Sequence, residues 1–284
     1  DGGGSVRIPS SFSGLFAMKA SFGRVPLYPG CRDPRYPGVS SWESLEHIGP
    51  MTRTVEDSAL MLSVMAAGPD DRDRHTLPAP DFDWLGAMAG GVRGLRVAWS
   101  PDWGYATVDP QVRAVTERAA RVFADELGCQ VEEAHPGFGD CLGLFPGMDD
   151  AFWAMVARDS DLRGMRALVA DGKITLPGLV ALLQTEWTAE DFTNAAMVRQ
   201  DVVNKMWRFM RGYDFLLTPT LGVPPFELYS AGPTEIAGKA VSSAHWLSFT
   251  YPINMTGQPA ATVPAGWTDD GLPIGLQIVG RHLD

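Results

Sequence analysis

The sequence predicts an α/β layered fold. Two observations carry this: short apolar segments of strand character alternate with longer segments of helical periodicity, and no internal repeat, low-complexity tract or linker interrupts the alternation. Roughly the first fifty residues are rich in Gly, Pro and Ser, with Tyr28-Pro29-Gly30 among them, and read as loops and short strands rather than long helices. Thr54 is an N-cap with Asp57 three positions on. Val55, Ala59, Leu62 and Met65 make the apolar stripe of a helix that Gly68-Pro69 ends. Pro69 to Arg74 is a charged surface loop, and Leu95 to Trp99 a short strand. Asp109-Pro110 opens the next helix, Gly128 closes it, and Gln130 to Glu132 is a strand. Helices are expected over Asp149 to Ala170 and Thr188 to Arg211, followed by a buried strand at Phe215 to Leu217. Ser243 to Met255 reads as helical, with Pro252 disturbing its end. Ala260 to Pro264 and Ile274 to Val279 are closing strands on either side of the turn Asp269-Asp270-Gly271.

Composition narrows the function classes. The 284 residues carry 34 acids against 23 bases, a net charge of −11. That balance disfavours direct nucleic-acid binding, which concentrates Lys and Arg on phosphate. No apolar run reaches the roughly 18 residues of a membrane-spanning helix. Cys31, Cys129 and Cys141 are odd in number and far apart, which supports neither a disulfide framework nor a zinc site. A reduced, cytoplasmic setting is the default expectation. The first residue is Asp1 rather than Met, so the sequence carries no information on a leader.

The chemistry-bearing segment is Asp1-Gly2-Gly3-Gly4-Ser5-Val6-Arg7-Ile8-Pro9. Three successive glycines permit backbone angles closed to other residues, and their amides can converge into an anion-binding nest. A hydroxyl directly after such a nest joins a nucleophile to donors for the oxyanion that its own attack creates. Asp1 and Arg7 flank the loop where they can pair and fix it. A glycine-rich flexible segment that happens to contain a serine is the plain alternative at this point.

The residues that follow resemble the amidase-signature family. Asp1-x-Gly3-Gly4-Ser5-Val6-Arg7-x-Pro9 continues into Gly14 to Lys19 and then Ser21-Phe22-Gly23-Arg24-Val25-Pro26, like the core of that signature. Gly49 to Asp57, Tyr213-Asp214 through Thr220, Asn254 to Ala260, Val263 to Gly266 and Gly271 to Gln277 are similar to later family blocks, in the family's order. The resemblance implies one α/β/α layered domain over residues 1–284, on a mixed β-sheet truncated at both ends. It also implies cleavage of carboxamides through a seryl acyl-enzyme, with a Ser-Ser-Lys triad and neither cofactor nor metal. By position Ser5 matches the nucleophile, the amides of Gly2, Gly3, Gly4 and Ser5 the oxyanion hole, and Asp1 and Arg7 the bracing pair. Gly2 departs from the family, which often has a larger residue there.

In the family the lysine and the bridging serine lie N-terminal to the nucleophile, where only four residues stand here. This chain alone is therefore expected to be nearly inactive, and the N-terminal portion of its own polypeptide is an expected partner, beside a small amide substrate. Lys19 belongs to a block that the family keeps as structure. In the helix expected around His245-Trp246-Leu247-Ser248-Phe249, Trp246 and Phe249 are candidates for lining an apolar acyl pocket, or are simply packed there. Rival readings are the amidase subunit of a tRNA-dependent amidotransferase, a catalytically incomplete fragment, and a Ser-His-Asp hydrolase. For the last no GxSxG elbow is present, since Gly3-Gly4-Ser5-Val6-Arg7 ends in arginine.

Overall fold

Residues 1–28, 44–175 and 177–284 are those that the computed structural model describes. Cys31 and the Pro29-Gly30 part of the early turn lie outside them. The elements run α1 (Arg7–Phe12), β1 (Phe16–Lys19), β2 (Met51–Thr52), α2 (Val55–Met65), β3 (Arg96–Trp99), α3 (Pro110–Asp125), β4 (Gln130–Glu133), α4 (Met148–Asp159) and α5 (Leu162–Ala170). They continue with α6 (Pro177–Gln184), α7 (Ala189–Met210), β5 (Phe215–Pro219), β6 (Glu235–Ile236), β7 (Lys239–Ala240), α8 (Tyr251–Thr256), β8 (Ala260–Trp267) and β9 (Pro273–Val279).

Seven strands form one mixed sheet in the order β2-β1-β8-β9-β5-β3-β4. β3 lies parallel to both β4 and β5, and the remaining neighbours are antiparallel. Side chains alternate between the two faces of a strand. Val97, Trp99, Leu217 and Leu276 point to one face, against Ala120 of α3. Ala98, Leu216 and Val279 point to the other, where Met155, Val198, Met206 and Ile253 of α4, α7 and α8 make the larger core. The expected α/β/α layering on a mixed sheet is thus observed. Among the described residues no helix is long and apolar enough to cross a membrane.

Local signals explain most boundaries. Thr54 accepts from the Asp57 amide at 3.1 Å and opens α2. Thr188 and Asp191 cap α7 reciprocally in a capping box. Asp109 caps α3 by accepting from Gln111 and Val112, with Pro110 at the first helical position.

Four expectations need correction. The glycine-rich start is not all loop, because Arg7–Phe12 closes a short helix once the Gly4 carbonyl accepts from the Ile8 amide at 2.7 Å. The helix expected from Asp149 to Ala170 is two helices, since Asp161 leaves helical geometry to cap α5 through the Gly164 amide. The segment Ser243 to Met255 is a 3-10 turn (His245–Leu247) followed by α8. Pro252 sits in the first turn of α8, where its missing N–H has no helical partner to lose, so it starts a helix rather than ending one. α6 and the β6–β7 hairpin were not expected at all. The hairpin turns on Ala237 and Gly238, both at positive φ, and Ala237 is a residue that sequence rules do not favour there.

The Asp109 cap gives a direct check. Asp109→Ala leaves the two amides at the start of α3 without a partner and lowers stability by about 1 kcal/mol, whereas Asp109→Asn retains most of it. Urea unfolding followed by circular dichroism measures both.

Candidate active site

The glycine loop is held from its two flanks. The Asp1 carboxylate accepts from the Val6 amide at 3.1 Å and from Arg7 Nε at 3.2 Å, and pairs with Arg7 Nη2 at 3.0 Å. Both side chains are fully buried. Arg7 also donates to the Gln277 side chain of β9, at 2.6 Å, and to Asn254 Oδ1 of α8. Gln277 passes the connection on, donating to Thr218 Oγ1 at 3.0 Å and to the Phe249 carbonyl at 2.9 Å. Asn254 donates back to the Asp1 carboxylate at 2.8 Å. Burial pulls the Arg7 guanidinium below its ordinary value, to about 9, so it stays charged at neutral pH beside Asp1.

Between these anchors the chain has little freedom. Gly4 sits at φ 136°, and a Cβ there would lie 2.5 Å from Ile8 Cδ1 and 2.6 Å from Thr250 Oγ1. Phe152 of α4 presses on Gly3, where a Cβ would come within 2.8 Å of the ring. Thr250 donates to the Gly3 carbonyl at 2.7 Å. Among the described residues, the backbone amides of Gly2, Gly3, Gly4 and Ser5 donate to no protein acceptor. Gly2 and Gly4 are buried, Gly3 is half-buried and Ser5 is exposed. The arrangement therefore offers a hydroxyl at the surface beside four consecutive donors that have no acceptor among the described residues. Chemically, such a site suits a group that develops negative charge on oxygen.

Other candidates fall in different surroundings. Lys19 on β1 is fully buried, donates from Nζ to the Gln258 carbonyl, and has its pKa pulled well below the ordinary value by burial and then by the Arg7 charge. Trp246 is half-buried in an aromatic group with Phe12, stacked at 5.7 Å, and Phe226 at 5.0 Å, its indole N–H on the Ala231 carbonyl. Phe249 is fully buried and stacks on Trp103 in the main core, so it is a core residue rather than part of a cleft surface.

A serine–histidine–carboxylate chain does occur, as Ser100 Oγ to His135 Nδ1 at 2.8 Å and His135 Nε2 to Glu133 at 3.8 Å. Ser100 is fully buried and its Oγ accepts from the Trp103 amide, so it serves a turn out of substrate's reach. Among the described residues no group of three or more His, Cys, Asp or Glu side chains is placed to hold a metal ion.

Sequence reasoning missed Asn254, Gln277, Thr250 and His47. His47 is buried against the brace: its amide donates to the Asp1 carbonyl at 3.1 Å and its Nδ1 lies 2.8 Å from the Leu45 carbonyl. Burial, followed by the charge of Lys19, holds its pKa well below 6.5.

A family model described as Amidase matches residues 1–142 and 173–284. An acylamidase from Rhodococcus erythropolis is 38% identical over 99% of this chain and 57% of its own length. A glutamyl-tRNA(Gln) amidotransferase subunit from Lactiplantibacillus plantarum is 29% identical over 100% of this chain and 59% of its own length. Among solved structures, a bacterial aryl acylamidase of the amidase-signature enzymes superposes with a TM-score of 0.83 at 30% identity, covering 99% of this chain and 58% of that one. The chain thus spans somewhat over half the length of the relatives it matches.

Two measurements follow from the loop's packing and charge. Gly4→Ala combines a glycine-only backbone angle with contacts no Cβ tolerates, and lowers stability by about 2–5 kcal/mol. Gly68→Ala, where a Cβ meets nothing within 4 Å, shifts it by no more than about 0.5 kcal/mol. For His47, the folded protein keeps the ring neutral while the unfolded chain takes up a proton around 6.5. The unfolded state then binds more protons, so stability falls as pH drops through that value, by at most about 1.4 kcal/mol per pH unit for this histidine. His245 and His282, also lowered by burial, act in the same sense. Urea unfolding across that window gives the slope, which His47→Gln flattens.

Proposed function

The chain belongs to the amidase family, and on that premise we propose that it is the nucleophile-bearing part of a serine amidohydrolase, with Ser5 as the attacking residue. The observation that carries the reading is the run of amides from Gly2 to Ser5, without an acceptor among the described residues, in a loop braced by Asp1, Arg7 and Asn254. Ser5 Oγ bonds to the carboxamide carbon while its proton passes to a base, and the carbonyl electron pair moves onto oxygen. The amides of Gly2 to Ser5 stabilise that oxyanion. Its collapse breaks the C–N bond, and the leaving nitrogen takes the proton and departs as ammonia or an amine. Water then attacks the acyl-enzyme, releasing the acid and restoring the serine.

The base is proposed to be a lysine acting through a bridging serine, both upstream of Ser5 in the polypeptide, as the family resemblance implies. Lys19 suits that role poorly, because it is fully buried and donates into the core, whereas Ser5 is exposed. The substrate is proposed to be a small carboxamide. Trp246, with Phe12 one helix away from Ser5, supports an apolar or aromatic acyl group. The higher identity to the acylamidase than to the amidotransferase subunit favours a stand-alone amidase.

Fluorophosphonate labelling with peptide mapping tests the assignment. Ser5 is expected to label in a polypeptide extended N-terminally, and not in residues 1–284 alone. Ser5→Ala abolishes it, at a loss larger than the ~3 kcal/mol typical of one oxyanion donor. Labelling at another serine, or none in either polypeptide, contradicts the assignment.

A further inference from the structure

We infer that Thr250 is a positioning residue that aims the Gly4 amide at the reacting carbonyl oxygen; this rests on the reading of Ser5 as nucleophile. Thr250 immediately precedes α8 and is fully buried. Its hydroxyl has one proton to donate and two carbonyls in range, Gly3 at 2.7 Å and Leu247 at 3.2 Å. The shorter contact is the better hydrogen bond, so the proton goes to Gly3.

The consequence lies in the peptide joining Gly3 to Gly4. In a trans peptide the C=O and N–H point in opposite directions. Holding the Gly3 carbonyl inward on Thr250 therefore sends the Gly4 N–H outward, away from the core. That N–H is one of the four without an acceptor among the described residues. A peptide with glycine on both sides resists rotation least of all, because neither residue has a Cβ to clash. If it flipped, the Gly3 carbonyl would face the reacting oxygen, and a donor would be exchanged for a lone pair. Thr250 opposes that flip by bonding the carbonyl, and its Oγ1 also fills the space beside the Gly4 Cα, 2.6 Å from where a Cβ would stand. Among the described residues the hydrogen bonds of the Asp1–Arg7 brace, to Val6, Asn254, Gln277 and His47 among others, do not include this peptide.

The test uses an N-terminally extended polypeptide and its inactivation by a fluorophosphonate, with the limiting rate kinact and the binding constant KI separated. Phosphonylation places an oxygen where the oxyanion forms, so it reads the same donors. Thr250→Val keeps the shape and removes the hydroxyl. It is expected to lower kinact about 10- to 100-fold, approaching the loss of one oxyanion donor, and to leave KI within about twofold. Thr250→Ser restores kinact to within about threefold. Urea unfolding of both variants separates this from a folding defect, which Thr250→Ser shares and which lowers the active fraction rather than kinact. An unchanged kinact in Thr250→Val, with Ser5→Ala unreactive, overturns the role of Thr250 alone. Equal changes in kinact and KI, or no rescue by Thr250→Ser, do the same. Reaction persisting in Ser5→Ala overturns it together with the reading on which it rests.

Discussion

The ion pair between Asp1 and Arg7 is the contact on which the rest of the site depends. It lies entirely out of water, where a lone charge is far costlier than a pair, and removing one partner of such a pair costs about 3–5 kcal/mol. Its reach is longer than its two residues. Through Gln277 it ties the glycine loop to β9 and β5, and through Asn254 it ties the loop to α8. Because Arg7 also belongs to α1, the loop, one helix on the sheet and the centre of the sheet are fixed by one guanidinium. A lysine carries a single point charge and lacks the planar fork that serves Asp1, Gln277 and Asn254 together.

That rigidity is what lets a run of backbone donors stay unpaired. Gly2 and Gly4 are buried residues, and their amides have no acceptor among the described residues. A loose loop would turn those amides towards carbonyls or water. Here Asp1 and Arg7 fix one end, Phe152 and Thr250 press on the middle, and the Gly4 carbonyl is committed to the first turn of α1. On the proposed chemistry, an oxyanion finds these donors already in place, without the loop having to reorganise.

Sequence legibility followed contact range. Thr54, Asp109 and Thr188 announce their helices because a cap bonds two or three residues away. The Asp1–Arg7 pairing across the loop was legible for the same reason, since Asp1 bonds Val6 and Arg7 within one short segment. Asn254, Gln277 and Thr250 reach it from 247 to 270 positions away, and no short-range spacing ties them to it. A glutamine in the apolar run of β9, and an asparagine on a short helix otherwise buried, were the available signals: a buried polar side chain in either place needs a partner. Phe249 and Trp246 illustrate the converse. Aromatic side chains look alike in sequence whether they stay half-buried, as Trp246 does, or fill the core, as Phe249 does, and burial alone separates them.

The most direct measurement is a crystal structure of the N-terminally extended polypeptide after reaction with a fluorophosphonate. The proposed chemistry requires phosphorus bonded to Ser5 Oγ, with the phosphoryl oxygen within about 2.7–3.1 Å of amides from the Gly2 to Ser5 run. The Asp1–Arg7 pair should be unmoved. An adduct on another residue, or a phosphoryl oxygen turned to solvent while those amides remain unpaired, would contradict it.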